Sequence, residues 1–277
     1  MNRFWFLIAA LTLLALPSAQ AQYIRNDARR PSGHLGLTTG LATTWIVDRK
    51  LLEDPNYQYV QTYRRAPIGF TAGYHFNDRN GIQVEFVSVK QGADFQILTK
   101  TDVEERVGTK NINLTYWSIP ILFKYTGGVA RPARFEFHVG PQLNLLSSGE
   151  EINRYTQDGI LKVQRANTDL MERNTRDGYS ITAGTSDVLA RKADLRASTW
   201  SAVFGLGLEF KIYGPLYAST LLRGTFSLND VRGGQLIGKA RSFQYYTGRN
   251  SAVLGLQVGL HYQFISPAEG HPKDRGY

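Results

Sequence analysis

The stretch Arg134–Leu145, RFEFHVGPQLNL, decides the fold. Phe135, Phe137, Val139, Pro141, Leu143 and Leu145 alternate without a break with Arg134, Glu136, His138, Gly140, Gln142 and Asn144. Period two is the signature of a strand with one apolar face. The segment 252–264 repeats it. Ala252, Leu254, Leu256, Val258, Leu260, Tyr262 and Phe264 fall on one side, opposite Val253, Gly255, Gln257, Gly259, His261 and Gln263. A tilted membrane-crossing strand needs only about 9–11 residues, apolar outside and polar or small inside.

Six further segments fit the template. They are residues 34–47, 68–76, 81–91, 116–125, 201–212 and 216–228. Pro120, inside the 116–125 segment, suggests a bulge, because it has no N–H to give a ladder. Eight strands result. The connections alternate long (48–65, 92–110, 147–198, 229–249) and short (Asn77–Asn80, Thr126–Pro132, Tyr213–Pro215) along the chain. An all-β, eight-stranded antiparallel up-and-down transmembrane barrel has this rhythm, with short periplasmic turns and longer external loops. A soluble ligand-binding barrel, apolar inside, would show the same alternation with its faces reversed.

The rest of the chain bears on that choice. Arg3, the apolar run 4–16 and Pro17-Ser18-Ala19-Gln20-Ala21 read as a signal peptide over residues 1–21. Residues 22–33 and 265–277, with their Arg, Gly and Pro, read as periplasmic terminal segments flanking a barrel at 34–264. The 277 residues contain no Cys, which excludes disulfides, thiolate metal sites and cysteine nucleophiles. A net charge of +9 on a signal-bearing chain points to anionic outer-membrane lipid and lipopolysaccharide rather than to nucleic acid. The cell outer membrane is the expected location.

The segment INLTYWSIPILFKYTGG at 112–128 and RFEFHVGPQLNLL at 134–146 resemble the paired-strand signature of the PorT-like outer-membrane β-barrel family of Bacteroidetes. The similarity continues in AVFGLGLEFKI at 202–212 and LGLQVGLHYQF at 254–264. Many members carry an acidic residue where this chain has Ser118, and here 13 residues follow Phe264. The resemblance implies an integral eight-stranded barrel. Since some relatives take part in type IX secretion, it also implies a link to protein secretion.

An eight-stranded barrel is only wide enough for side chains to fill it, so no open pore is expected. Inward-facing Glu85, Lys124, Arg134, Glu136, Glu209, Lys211 and Arg223 form a candidate lumen charge network. Lys124 faces Glu136 if residues pair across 126–132 with numbers summing to 260, and Arg134 if they sum to 258. His34, His75 and His261 fall near the periplasmic mouth on adjacent strands and could approach one another, either as polar filling or as ligands. A lipid A-modifying enzyme would need a histidine, a hydroxyl and a carboxylate together. His138 has Glu136 beside it, with Ser147 and Ser148 only at the far strand end. No P-loop, GxSxG or HExxH motif is present. The chain therefore reads as a monomeric, non-enzymatic barrel without a cofactor, in contact with other envelope or secretion proteins. The loop 147–198, with hairpin-like pieces around Tyr155–Val163 and Tyr179–Val188, would be its recognition element. The basic loop 229–249, with Arg232, Lys239, Arg241 and Arg249, would lie near lipid A phosphates.

Overall fold

A computed structural model describes residues 31–77, 79–100, 104–127, 133–161, 179–242 and 247–265. The proposed signal peptide, residues 22–30 and residues 266–277 lie outside the described residues.

Eight strands close on themselves. β1 (Ser32–Val47) is followed by a short helix α1 (Arg49–Glu53), the brief strand β2 (Tyr57–Val60) and then β3 (Tyr63–His75). Next come the long strands β4 (Asn80–Lys100), β5 (Glu104–Gly127) and β6 (Ala133–Tyr155). Beyond them lie β7 (Gly159–Leu161), β8 (Tyr179–Ile181), β9 (Ser186–Arg191), β10 (Ser198–Tyr213), β11 (Leu216–Ser227), helix α2 (Gly234–Ser242) and β12 (Asn250–Ile265). The ring runs β1-β3-β4-β5-β6-β10-β11-β12 and back to β1, antiparallel throughout. β2 pairs with β4 and β9 with β6, while β7 and β8 form a separate hairpin. All eight sequence-derived strands are present, and Ser32 and Gly33, assigned above to the terminal segment, already belong to β1.

The faces follow from the alternation. On β12 the side chains from Leu254 to Phe264 at even positions are 43–54% exposed on the outside of a ring whose only outer neighbour would be lipid. Inside lie Glu85, Lys124, Glu136, His138 and Gln142, all nearly inaccessible. Aromatic residues stand at both ends of the apolar band. At the short-turn end are Tyr74, Phe76, Tyr262 and Phe264, with ring pairs 5.7 and 4.9 Å apart. Trp200 and Trp117 mark the other end, Trp117 stacked on Phe86 at 4.8 Å. Girdles of this kind flank the hydrocarbon layer in outer-membrane barrels.

Three expectations are corrected. The stretch 92–110 is not a loop: β4 runs to Lys100 and β5 starts at Glu104. Beyond the girdle the pattern reverses, with Ala93, Phe95, Ile97, Ile112 and Leu114 buried inside and Asp94, Gln96, Asn111 and Asn113 on the outer side. The wall there faces water, so its apolar residues point inward, and a search for apolar-out strands passes over it. Pro120 causes no bulge; the β5–β6 register shifts at Thr115/Tyr116 instead, opposite Ser147. That single extra residue flips the parity of β6, so Glu151 and Asn153, not Glu150, turn inward. The β5–β6 pairing sum through the membrane is 262, placing Lys124 opposite His138 rather than Glu136 or Arg134. That register is shifted by two from the 260 expectation and by four from the 258 one, and an even shift leaves every face unchanged.

The apolar core sits outside the membrane band. Ile46, Leu51, Tyr57, Phe95, Val107, Ile112, Leu114, Tyr116, Tyr155, Leu161, Ile181, Leu195 and Val231 form one buried cluster at the long-loop end. Asp48 caps α1 by accepting from the Lys50 and Leu51 amides, which seats Leu51 in that cluster. Gly92 allows β4 to enter it, with a φ of 139° and the Ile112 carbonyl where a Cβ would stand. Gly92→Ala is expected to destabilise this end by about 2 kcal/mol. Limited proteolysis should detect faster cleavage there while the boiling-sensitive gel migration of the barrel stays intact.

Candidate functional site: the lumen and its cap

Within the band the lumen is organised in polar layers. In the layer near the short turns, Lys124 Nζ lies 2.8 Å from Glu209 Oε1 and 3.1 Å from Glu136 Oε2, with the Tyr217 ring 5.4 Å away. His138 Nε2 stands 3.4 Å from Glu136 Oε2. The lysine of β5 thus compensates two carboxylates on the next two strands, β6 and β10, as a buried charge must be compensated to persist. Arg134 is half-buried opposite Glu209 in the β6–β10 register, and Lys211 is exposed at the rim. Neither forms a hydrogen bond or ion pair among the described residues, but Arg134 still acts on Glu209 electrostatically, so Lys211 alone is corrected out of the network. At the rim, water can take the Lys211 charge.

The three histidines come together. His34 lies 5.2 Å from His75 and 5.7 Å from His261 between ring centroids, and Tyr217 stacks on His261 at 4.7 Å. His34 Nε2 faces Gln83 Oε1 at 3.2 Å, and His261 Nε2 meets Ser219 Oγ at 2.8 Å. Among the described residues no group of three or more His, Asp or Glu is arranged to hold a metal. The Ser219–His261 pair was not singled out in the sequence, because its members lie 42 positions apart on β11 and β12. Among the described residues Nδ1 of His261 has no hydrogen-bond partner, so no described carboxylate completes a nucleophilic triad with the Ser219–His261 pair.

A second layer is centred on Arg223. Its guanidinium donates to Glu85 at 2.6 Å, and to Gln257 and Gln142 at 3.2 Å each. Gln83 donates to the other oxygen of Glu85 at 2.9 Å. A third layer ties Ser118 and Gln142 to Asn144 Oδ1 at 2.7 and 2.6 Å, and Asn144 Nδ2 donates to Ser201 Oγ at 2.8 Å. Ser118 thus works as a neutral donor within a satisfied amide layer.

Above these layers sits a second ionic centre that the sequence reading missed. Arg249 donates to Asp48 at 2.9 Å and to Glu151 at 2.7 Å, and Lys110 closes on the other oxygen of Glu151. Arg232 pairs with Asp230 at 2.9 Å, and Asp230 also accepts from the Arg249 amide. Arg232 and Arg249, expected to face lipid A phosphates, are therefore buried. The carboxylates that draw them in lie up to 201 positions away, beyond the reach of local charge counting. Burial alone would raise the Glu151 carboxyl, but Arg249 and Lys110 outweigh it and hold the group down at about 2.

A family model described as outer membrane protein beta-barrel domain matches residues 32–233. No curated protein matches the chain. Among solved structures the chain is similar to Ail, the attachment invasion locus protein of Yersinia pestis, at 12% identity and a TM-score of 0.38, over 84% of this chain and 99% of that one. It is similar to OprG of Pseudomonas aeruginosa at 13% and 0.38, over 86% and 99%. For the Neisserial surface protein A the values are 8% and 0.39, over 82% and 95%.

Proposed function

Because the chain belongs to the outer membrane protein beta-barrel domain family, we propose that it is a closed, monomeric and non-conducting outer-membrane barrel that holds a rigid platform outside the cell for envelope interactions. The short turns and both termini are then periplasmic, and the capped end is external. One observation carries this reading. The lumen is crossed by bonded side-chain layers, and the strands continue past the girdle into a packed apolar core closed by the Arg249 centre. A pore has no use for such a cap, whereas a binding platform needs it to hold its surface still. Leu52, Ile160 and Val188 stand about half exposed on that platform, and the exposed Arg65 and Lys90 suit contact with lipopolysaccharide phosphates.

The resemblance to PorT-like barrels makes secretion the process we assign to the platform. Leu52→Asp with Val188→Asp should leave heat-modifiable migration and outer-membrane fractionation unchanged, yet lower the amount of secreted cargo by about ten-fold, as loss of an anchor pair at an interface does. Normal cargo levels in the gene deletion would rule out the secretion role. Lipid A mass spectra with and without the gene should coincide, and a changed acyl or sugar pattern would favour the enzyme reading instead.

A further inference from the structure

The barrel wall has a seam. The β1–β3 ladder continues up to Thr43–Tyr63 and the β4–β5 ladder up to Lys100–Glu104, but the β3–β4 ladder stops at Phe70–Phe86. Just above that point lies Pro67, which has no N–H to offer a neighbour. From there β4 parts from β3 while staying paired with β5, and its side approaches β1 and β12. Thr44 Oγ1 donates to the Gly92 carbonyl at 2.8 Å, and Ser251 Oγ donates to Gln91 at 2.7 Å. The seam is latched at its upper end, where Asp94 accepts from Thr62 Oγ1 at 2.7 Å and faces Arg64 at 3.5 Å. At its lower end Ile68, Phe70 and Phe86 are 67%, 63% and 45% exposed on the lipid side.

Behind the seam is a cavity of about 80 Å³. Ala66 of β3 and Val87 and Val89 of β4 line it from the two sides of the seam, Ala42 from β1, and Arg223 from the floor. Thr38 also lines it, 4% exposed, and its Oγ1 has no hydrogen-bond partner. Arg223 is committed to Glu85, Gln142 and Gln257, so the Thr38 hydroxyl is the polar group left over. A buried hydroxyl without a partner carries a cost that a ligand can remove. The space exceeds the roughly 10–15 Å³ that holds one water and falls short of the roughly 150 Å³ that holds benzene. It therefore suits the end of a linear molecule better than a ring.

We propose that this cavity binds a linear, hydroxyl-headed amphiphile taken laterally from the membrane through the β3–β4 seam, its head on Thr38 and its alkyl chain passing Val87 and Val89 toward Ile68 and Phe86. The probe is 1-octanol, with n-octane as the headless control, measured by equilibrium dialysis against the full barrel in phosphatidylcholine nanodiscs with empty nanodiscs subtracted. One saturable octanol per barrel is expected. Ala66→Phe, which fills the void, should weaken binding about ten-fold. Thr38→Val, which keeps the shape, should weaken octanol about five-fold and leave octane unchanged. Both variants are first checked for heat-modifiable migration, and the near-isosteric Thr38→Val stands as the test if Ala66→Phe does not fold. Uptake that only tracks lipid content, or saturable binding unchanged in the folded variants, overturns the proposal.

Discussion

Lys124→Met should destabilise the folded barrel by about 3–5 kcal/mol, the cost of leaving a buried charge without its partner. Lys124 is 1% exposed and is the ammonium that meets both Glu136 and Glu209. Without it two carboxylates on the neighbouring strands β6 and β10 are left in the lumen, Glu136 with His138 Nε2 at 3.4 Å and Glu209 opposite Arg134. The measurement is urea unfolding in detergent, followed by the gel shift between folded and boiled forms. The control decides between lost charge balance and lost packing. Lys124→Met combined with Glu136→Gln and Glu209→Gln removes one cation and two anions, and should recover most of the loss because neutral amides cost far less to bury. Equal instability of the single and triple variants would mean that the lysine stem, not its charge, supports the layer.

The same residues show what could be read from the sequence. Every lumen side chain within the girdles followed from alternation, since the side of a strand depends only on parity. That is why Lys124, Glu136, Glu209, Glu85 and Arg223 were found, and why a register two residues away from the actual one cost nothing in facing. Pair identities were a different matter. Lys124 lies opposite His138 and reaches Glu136 diagonally, a consequence of turn length that no periodicity encodes. The approach of His34 to His261 needed the closure of β1 onto β12, which joins the two ends of the chain.

Above the girdle legibility fell for two physical reasons. The solvent changes from lipid to water, so the apolar face moves from outside to inside. Phe95 and Ile112 then look like loop residues to a membrane template. The bulge opposite Thr115/Tyr116 also reverses the parity of β6, so the inward acid is Glu151 rather than its neighbour. With those two facts known, Arg249 and Lys110 fall into place as the partners of the buried Glu151, Asp48 as the second partner of Arg249, and Arg232 and Arg249 leave the lipid-facing side of the basic loop.

That carboxylate sets the pH behaviour of the cap. Glu151 is held at about 2, below its ordinary 4.5, with burial opposing and Arg249 and Lys110 prevailing. A carboxylate depressed on folding adds stability that is complete above its unfolded value and is lost as pH falls through the folded one. The cap should therefore resist proteolysis equally at pH 7 and pH 5 and loosen between about pH 4.5 and 2. Arg249→Met removes the larger of the two attractions on Glu151 and also leaves Asp48 without its guanidinium. It should cost about 3–5 kcal/mol locally, since a buried pair is broken rather than replaced. It should also raise the Glu151 value, so that loosening begins at a higher pH than in the native protein. Arg249→Lys keeps the charge but cannot span Asp48 and Glu151 with separate nitrogens, and it should fall between the two. Because the lumen layers below are bonded independently, heat-modifiable migration should persist in both variants. Joint loss of the cap and the gel shift would mean that the Arg249 centre holds the barrel itself closed.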